Sequence, residues 1–207
     1  MPTSENPEKT EYHHGNLKRV LMDAALEHLR EASVETLAFR GLARRAGVTA
    51  GAPYHHFRDR AALLGELATE GFDGLCACMV RVKANLPGVD PRADADTVTL
   101  AILRFAREHW GHYKAMFHES SQREQADDPV FPCADQAFTQ LTEIVRYFGV
   151  PADQAEFRAA EIWAMVHGLL VLSIEGPLHK RLPKEQFEPV ACDGVRILLG
   201  LGNGQPC

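Results

Sequence analysis

Residues 38–64 constrain this chain more than any other stretch, because they combine a helix-breaking glycine, a run of arginine and very little apolar bulk. Leu42, Ala43 and Ala46 recur at helical spacing, and Gly47 ends the helix they define. Thr49 is placed to cap the next helix. The segment 50–57 is too short, and too poor in large apolar residues, to be a helix kept for its own packing. A helix of that kind is expected to be held out for something to touch. Arg40, Arg44, Arg45, Arg58 and Arg60 against Asp59 leave a local excess of four positive charges, in a chain whose net charge is −6. A small basic helix-turn-helix in an acidic protein points to DNA phosphate.

At 207 residues the chain is long enough to bury a sizeable core as one large or two small domains, and its 45% hydrophobic content excludes disorder. Residues 1–16 hold no apolar run for a signal peptide. The longest near-apolar run, 162–174, is interrupted by His167 and is too short to span a bilayer. A cytoplasmic protein without membrane association is expected. Five cysteines, at 76, 78, 133, 192 and 207, show no metal-site spacing, so reduced thiols are the default. Cys76 and Cys78 lie about 200° apart round a helix axis and do not jointly face a metal.

The chain reads as all-α, without strand-like alternation or internal repeats. Residues 1–12 form a disordered tail, and a helix over 16–31, capped by Asn16, carries Leu17, Val20, Leu21, Ala24, Ala25 and Leu29 inward. The second helix, 39–46, lacks a capping side chain at Ala38, which leaves Thr36 as the substitute acceptor. Pro53 strains the third helix, so an irregular first turn is expected there. A long helix over 60–84 ends at Pro87-Gly88, and Asp90-Pro91 opens the next, 91–110. Gly111 and His112 interrupt that helix before a short segment at 113–118. Further helices cover 133–148, 153–175 and 185–201. The one ending at 175 is apolar nearly all round and therefore needs cover on two sides. The last two helices are the expected dimer interface, with Leu170 and Leu198 as its apolar markers.

The run Leu42-Ala43-Arg44-Arg45-Ala46-Gly47-Val48-Thr49, followed by Tyr54-His55-His56-Phe57 and Arg60, resembles the DNA-binding signature of the TetR family of one-component transcriptional regulators. Tyr-His-His-Gly-Asn-Leu at 12–17 and Trp163-x3-His167-Gly168 are similar to the subgroup whose ligand domain is named for Trp-His-Gly. The resemblance implies a three-helix helix-turn-helix domain over 13–60 and a helical ligand-binding and dimerisation domain over 61–207. It implies a homodimer on a double-stranded DNA operator, and a repressor released from a palindrome by a small apolar or amphipathic ligand. In the family pattern Ala38 departs from the usual Ser or Thr.

On this reading the DNA-facing residues are His14, Lys18, Arg40, Arg44, Thr49, Gly51, Ala52, Pro53, Tyr54, His55, His56 and Arg60. Gly51 and Ala52 let the backbone approach the groove and suit thymine methyl groups. Tyr54, His56, Arg44 and Arg60 suit phosphate, which positions without specifying. Phe57 is read as core. The ligand-binding candidates are Phe105, His109, Trp110, Met116, Phe117, Leu141, Trp163 and His167, since an apolar pocket with one or two polar groups is the usual small-molecule site. No catalytic residue, cofactor motif or metal site emerges. The alternative is a helical metal- or redox-responsive sensor built on the histidines at 109–118 or on the cysteines.

Overall fold

A computed structural model describes residues 17–118 and 130–202. The expected tail, His14, the cap Asn16 and Cys207 lie outside the described residues. Among the described residues all regular structure is helical: α1 Leu17–Glu31, α2 Phe39–Arg45, α3 Arg60–Ala84, α4 Pro91–Glu108, α5 Trp110–Met116, α6 Val130–Tyr147, α7 Ala152–Ile174 and α8 Lys184–Leu198. Short 3-10 turns occupy Val34–Thr36, Ala52–His55 and Pro177–Lys180.

Local chemistry accounts for most of these boundaries. α3 starts where the Asp59 carboxylate accepts the Ala62 amide at 2.8 Å, which satisfies one of the orphan donors of the first turn. Asp90 does the same for Arg92 at 2.9 Å, and Pro91 supplies the preset φ. Gly88, at φ +70, turns the chain between α3 and α4. Its amide is held by the buried carboxylate of Asp94 at 3.0 Å, which also accepts the Tyr147 hydroxyl at 3.3 Å. At α2 the expected substitute cap does not form. Ala38 is extended and offers no side chain, while the Thr36 hydroxyl donates to the Ser33 carbonyl and contacts His28. The third helix reduces to the 3-10 turn 52–55: Pro53 has no amide, so Ala52 bonds back to Thr49 and Tyr54 to Gly51, three residues apart.

The expected break at Gly111 falls instead at His109, whose backbone leaves the helical region at φ −108 and ψ 36. Gly111 has a different duty. It sits inside α5 against α1, where an added Cβ would lie 2.8 Å from the Leu26 carbonyl oxygen. α3 is the central column. Leu63, Leu64, Leu67 and Ala68 are fully buried, and the helix packs against α4, α5 and α6. Its first turns support the α1–α2 head and its later turns support the rear bundle. α5 lies between that bundle and α1, so the head rests on a seven-residue helix.

Gly111→Ala should therefore lower the thermal midpoint, with an overpacking cost of roughly 1–3 kcal/mol. Gly41→Ala, whose Cβ meets nothing within 4 Å, should be stabilising by about 1 kcal/mol or neutral. Thermal unfolding of the two variants checks the pair; equal midpoints would contradict the close approach at Gly111.

Candidate functional site: a nucleic-acid face and an aromatic cleft

The first site lies on α2 and the 3-10 turn. Arg40, Arg44, Thr49, Gly51, Tyr54 and His55 are exposed on it, with Ala52 and His56 half-buried. Tyr54, 64% exposed, stands edge-on to Phe39 with ring centroids 5.0 Å apart, which aims its hydroxyl outward. Phe57 is core, as its position in the apolar pattern implies.

One expected contact is corrected here, and a second has a further duty in the fold. Pro53 is buried, and its carbonyl accepts the amides of His56 and Phe57, so it shapes the turn and offers no surface to a groove. Arg60 turns back and donates from Nη1 to the Glu35 carbonyl at 3.0 Å, tying α3 to the 34–36 turn. Lys18 is also engaged, 2.6 Å from Glu66. Arg45 faces Glu31 and Glu27, and Arg58 pairs with Asp59. Arg40 and Arg44 are then the exposed guanidiniums of this stretch with no carboxylate partner among the described residues.

The second site is an aromatic cleft in the rear bundle. Tyr113 and Phe117, one turn apart on α5 and its C-terminus, face Trp163 and His167, one turn apart on α7. Leu141 of α6, Ile102 of α4 and Leu75 and Met79 of α3 complete the walls. The free volume is about 40 Å³, near that of a single water molecule. The Phe117 and His167 rings lie 4.3 Å apart, and the Tyr113 hydroxyl is 2.9 Å from His167 Nδ1. Burial lowers the His167 pKa and raises that of Tyr113, so both stay neutral near neutral pH. A neutral imidazole that accepts the tyrosine proton at Nδ1 carries its own proton on Nε2.

Phe117, Leu141, Trp163 and His167 thus meet in one place, and four other ligand candidates do not. Trp110 is buried behind Tyr113, stacked on it at 5.4 Å, and Met116 is packed against Gly71. Phe105 and His109, with rings 4.6 Å apart, line an open groove between α3 and α4. All of Trp110, Tyr113 and Met116 are buried, but of the aromatic and Met residues from 110 to 117 it is Tyr113 and Phe117 that line the cleft. Tyr113 was missed, although its four-residue spacing to Phe117 was the available signal.

α5 also bonds outward to the head. Lys114 donates to the Ala32 carbonyl at 3.1 Å, and His112 Nε2 lies 3.4 Å from Glu70, which in turn holds Arg19 of α1. His118 Nε2 lies 3.5 Å from Glu35. Among the described residues, no group of three or more His, Cys, Asp or Glu is placed to hold a metal ion. Burial pushes the Cys76 thiol to about 11 and raises Cys78, leaving little thiolate for redox sensing.

The lowered pKa of His167 has a consequence for stability. The unfolded chain takes up a proton on this imidazole as pH falls through about 6.5, whereas the folded chain resists until lower pH, so stability is lost on acidification through that window. His112, lowered by burial against the pull of Glu70, adds to the same trend. Thermal midpoints measured between about pH 7 and pH 5 should fall less steeply for His167→Gln than for the wild type. Parallel curves would contradict a neutral, half-buried His167.

Comparison with known proteins bears on both sites. Residues 21–67 match the family model of bacterial regulatory proteins, tetR family, and residues 95–192 match that of the tetracyclin repressor-like C-terminal domain. An uncharacterized HTH-type transcriptional regulator of Mycobacterium tuberculosis is 25% identical over 158 residues, which are 75% of this chain and 69% of the relative. A solved protein with unknown function from Rhodococcus sp. RHA1 is 31% identical, with 94% of this chain and 100% of that one covered and a TM-score of 0.72. The TetR family regulator PfmR from Thermus thermophilus shares the fold at 19% identity, covering 90% and 100% of the chains with a TM-score of 0.63. The two family matches together span most of the sequence and fall on the exposed basic head and on the bundle that holds the cleft; the chain belongs to the TetR family of DNA-binding transcriptional regulators.

Proposed function

We propose that this regulator is a repressor, which binds a palindromic operator as a homodimer and leaves it when a small, largely apolar ligand opens the aromatic cleft. One observation carries the reading: α5 forms a wall of the cleft through Tyr113 and Phe117, and on its other side supports α1 through Gly111 and Lys114. A cleft of about 40 Å³ admits a ligand only if its walls move. Displacing Phe117 displaces α5, and the head moves with it. Half-sites on one face of the duplex require a spacing near one helical turn, about 34–36 Å, so a shift of a few Å disengages one head. The ligand most compatible with these walls is uncharged and mostly apolar, with one group that hydrogen-bonds the Tyr113–His167 pair.

We divide the chain into a DNA-binding domain over 13–60, which includes the His14 arm, and a ligand-binding and dimerisation domain over 61–207. The rear domain fits the Trp-His-Gly subgroup. Trp163 and His167 look into the cleft, and an added Cβ on Gly168 would meet nothing within 4 Å. That glycine belongs to the outward face of α7, with the exposed Ala160, Ala164 and Leu172.

The dimer interface follows from α7 and α8. Phe157 is 73% exposed and Ile197 67%, and Leu172 and Val190 are exposed on the same two helices. Leu170, an expected interface marker, instead belongs to the inward stripe of Ala155, Ala159, Ile162 and Val166 and is fully buried. The run 162–174, expected to be too short to span a bilayer, lies within the 23-residue α7, which is long and apolar enough to cross a membrane, with 22% of its most apolar window buried. A second copy of this apolar face accounts for that exposure in a cytoplasmic protein, without a bilayer.

Selection of a duplex from a random pool, followed by binding and sedimentation of variants, tests the proposal. The selected site should be a palindrome. Ile197→Glu should yield a monomer that has lost tight operator binding. Arg44→Ala should weaken all sequences alike and lower the salt slope by about 1, as for one phosphate contact. A non-palindromic site, or an Ile197→Glu monomer that binds like the wild type, would contradict the repressor geometry.

A further inference from the structure

A second concave site lies between α3 and α4, and apart from the cleft: the two have no lining residue in common. Its volume is about 520 Å³, within the usual range for small-molecule sites of roughly 300–1,000 Å³. The floor is apolar, formed by Val82, Leu100, Ala101 and Phe105. Phe105 can lie flat against α3 because Gly74 is opposite; a Cβ there would be 3.1 Å from its ring. Two guanidiniums border this floor, Arg81 from α3 and Arg104 from α4. Both side chains are exposed, and neither has an ion pair with a carboxylate among the described residues.

The two arginines line the same groove from different helices, with the buried Cys78 also among the lining residues. Glu108 and His109 also line the groove. Among the described residues Glu108 forms no ion pair with either arginine. An apolar floor bordered by two unpaired cations from different helices matches a ligand with a ring body and one anionic group, since guanidinium suits a carboxylate in two-point contact.

We propose that the α3–α4 groove is a second ligand site, which takes an organic carboxylate with an apolar ring body, its ring on Phe105 and its carboxylate between Arg81 and Arg104. The assignment is independent of the cleft and of the operator. It also gives Phe105 and His109 a place in ligand recognition outside the cleft.

The full-length protein titrated with 2-naphthoate, and with the neutral 2-naphthylmethanol, followed by calorimetry at low ionic strength, tests it. The wild type should bind 2-naphthoate saturably, and more tightly than the alcohol by roughly tenfold or more, as expected for charge-assisted hydrogen bonds. The exposed double variant Arg81→Gln/Arg104→Gln should lose that preference and bind the alcohol as before. Unchanged 2-naphthoate affinity in the double variant would place the ligand elsewhere and overturn the proposal. So would an equal loss for both ligands, or no saturable binding by the wild type.

Discussion

The close approach of Gly111 to the Leu26 carbonyl is the contact on which the rest of this architecture depends. A seven-residue helix is far below the roughly 12–15 residues at which isolated helices become marginal in water, so α5 persists only because both of its sides are packed. One side presents Gly111 and Lys114 to the head; the other sends Tyr113 and Phe117 into the cleft. An element stabilised by two neighbours cannot be displaced by one without loading the other. Coupling of this form is reciprocal: ligand and DNA change each other's affinity by the same factor.

The head shows how little charge such a regulator exposes. Lys18, Arg45 and Arg58 each face a carboxylate, and Arg60 is bound to a main-chain carbonyl. On the proposed reading Arg40 and Arg44 are the guanidiniums left for phosphate in each copy. If the four-residue 3-10 turn is the reading element, as proposed, a single head buries too little surface for tight binding, and two heads at fixed spacing multiply that weak term. On this proposal the exposed apolar faces of α7 and α8 are as much a part of DNA recognition as the basic turn.

How far the molecule is legible in its sequence depends on whether the deciding interaction is local. Asp90-Pro91 and Pro87-Gly88 set the α3–α4 turn by caps and φ preferences, and both were readable, as was the core role of Phe57. The 3-10 character of 52–55 follows from Pro53, yet the burial of Pro53 itself does not, because it depends on the tertiary surroundings of the turn. The engagement of Arg60 by the Glu35 carbonyl joins residues 25 apart, beyond any local pattern. The same limit explains the ligand candidates. Trp163 and His167 share a helix face and a cleft, whereas Phe105 and His109 line the α3–α4 groove and Trp110 and Met116 pack in the core, an arrangement set by how the helices meet and not by local spacing. Gly111 looked like a helix breaker, and its actual role, making room for a carbonyl on α1, is visible only when the two helices are side by side.

The coupling through α5 is tested most directly by amide hydrogen exchange on the dimer, with and without its selected palindromic duplex. The proposed DNA contacts lie on the head alone, so a rigid connection predicts slower exchange not only in residues 17–60 but also across 110–117, where α5 meets the cleft. Protection confined to 17–60, with α5 exchanging as it does in the free protein, would contradict the account.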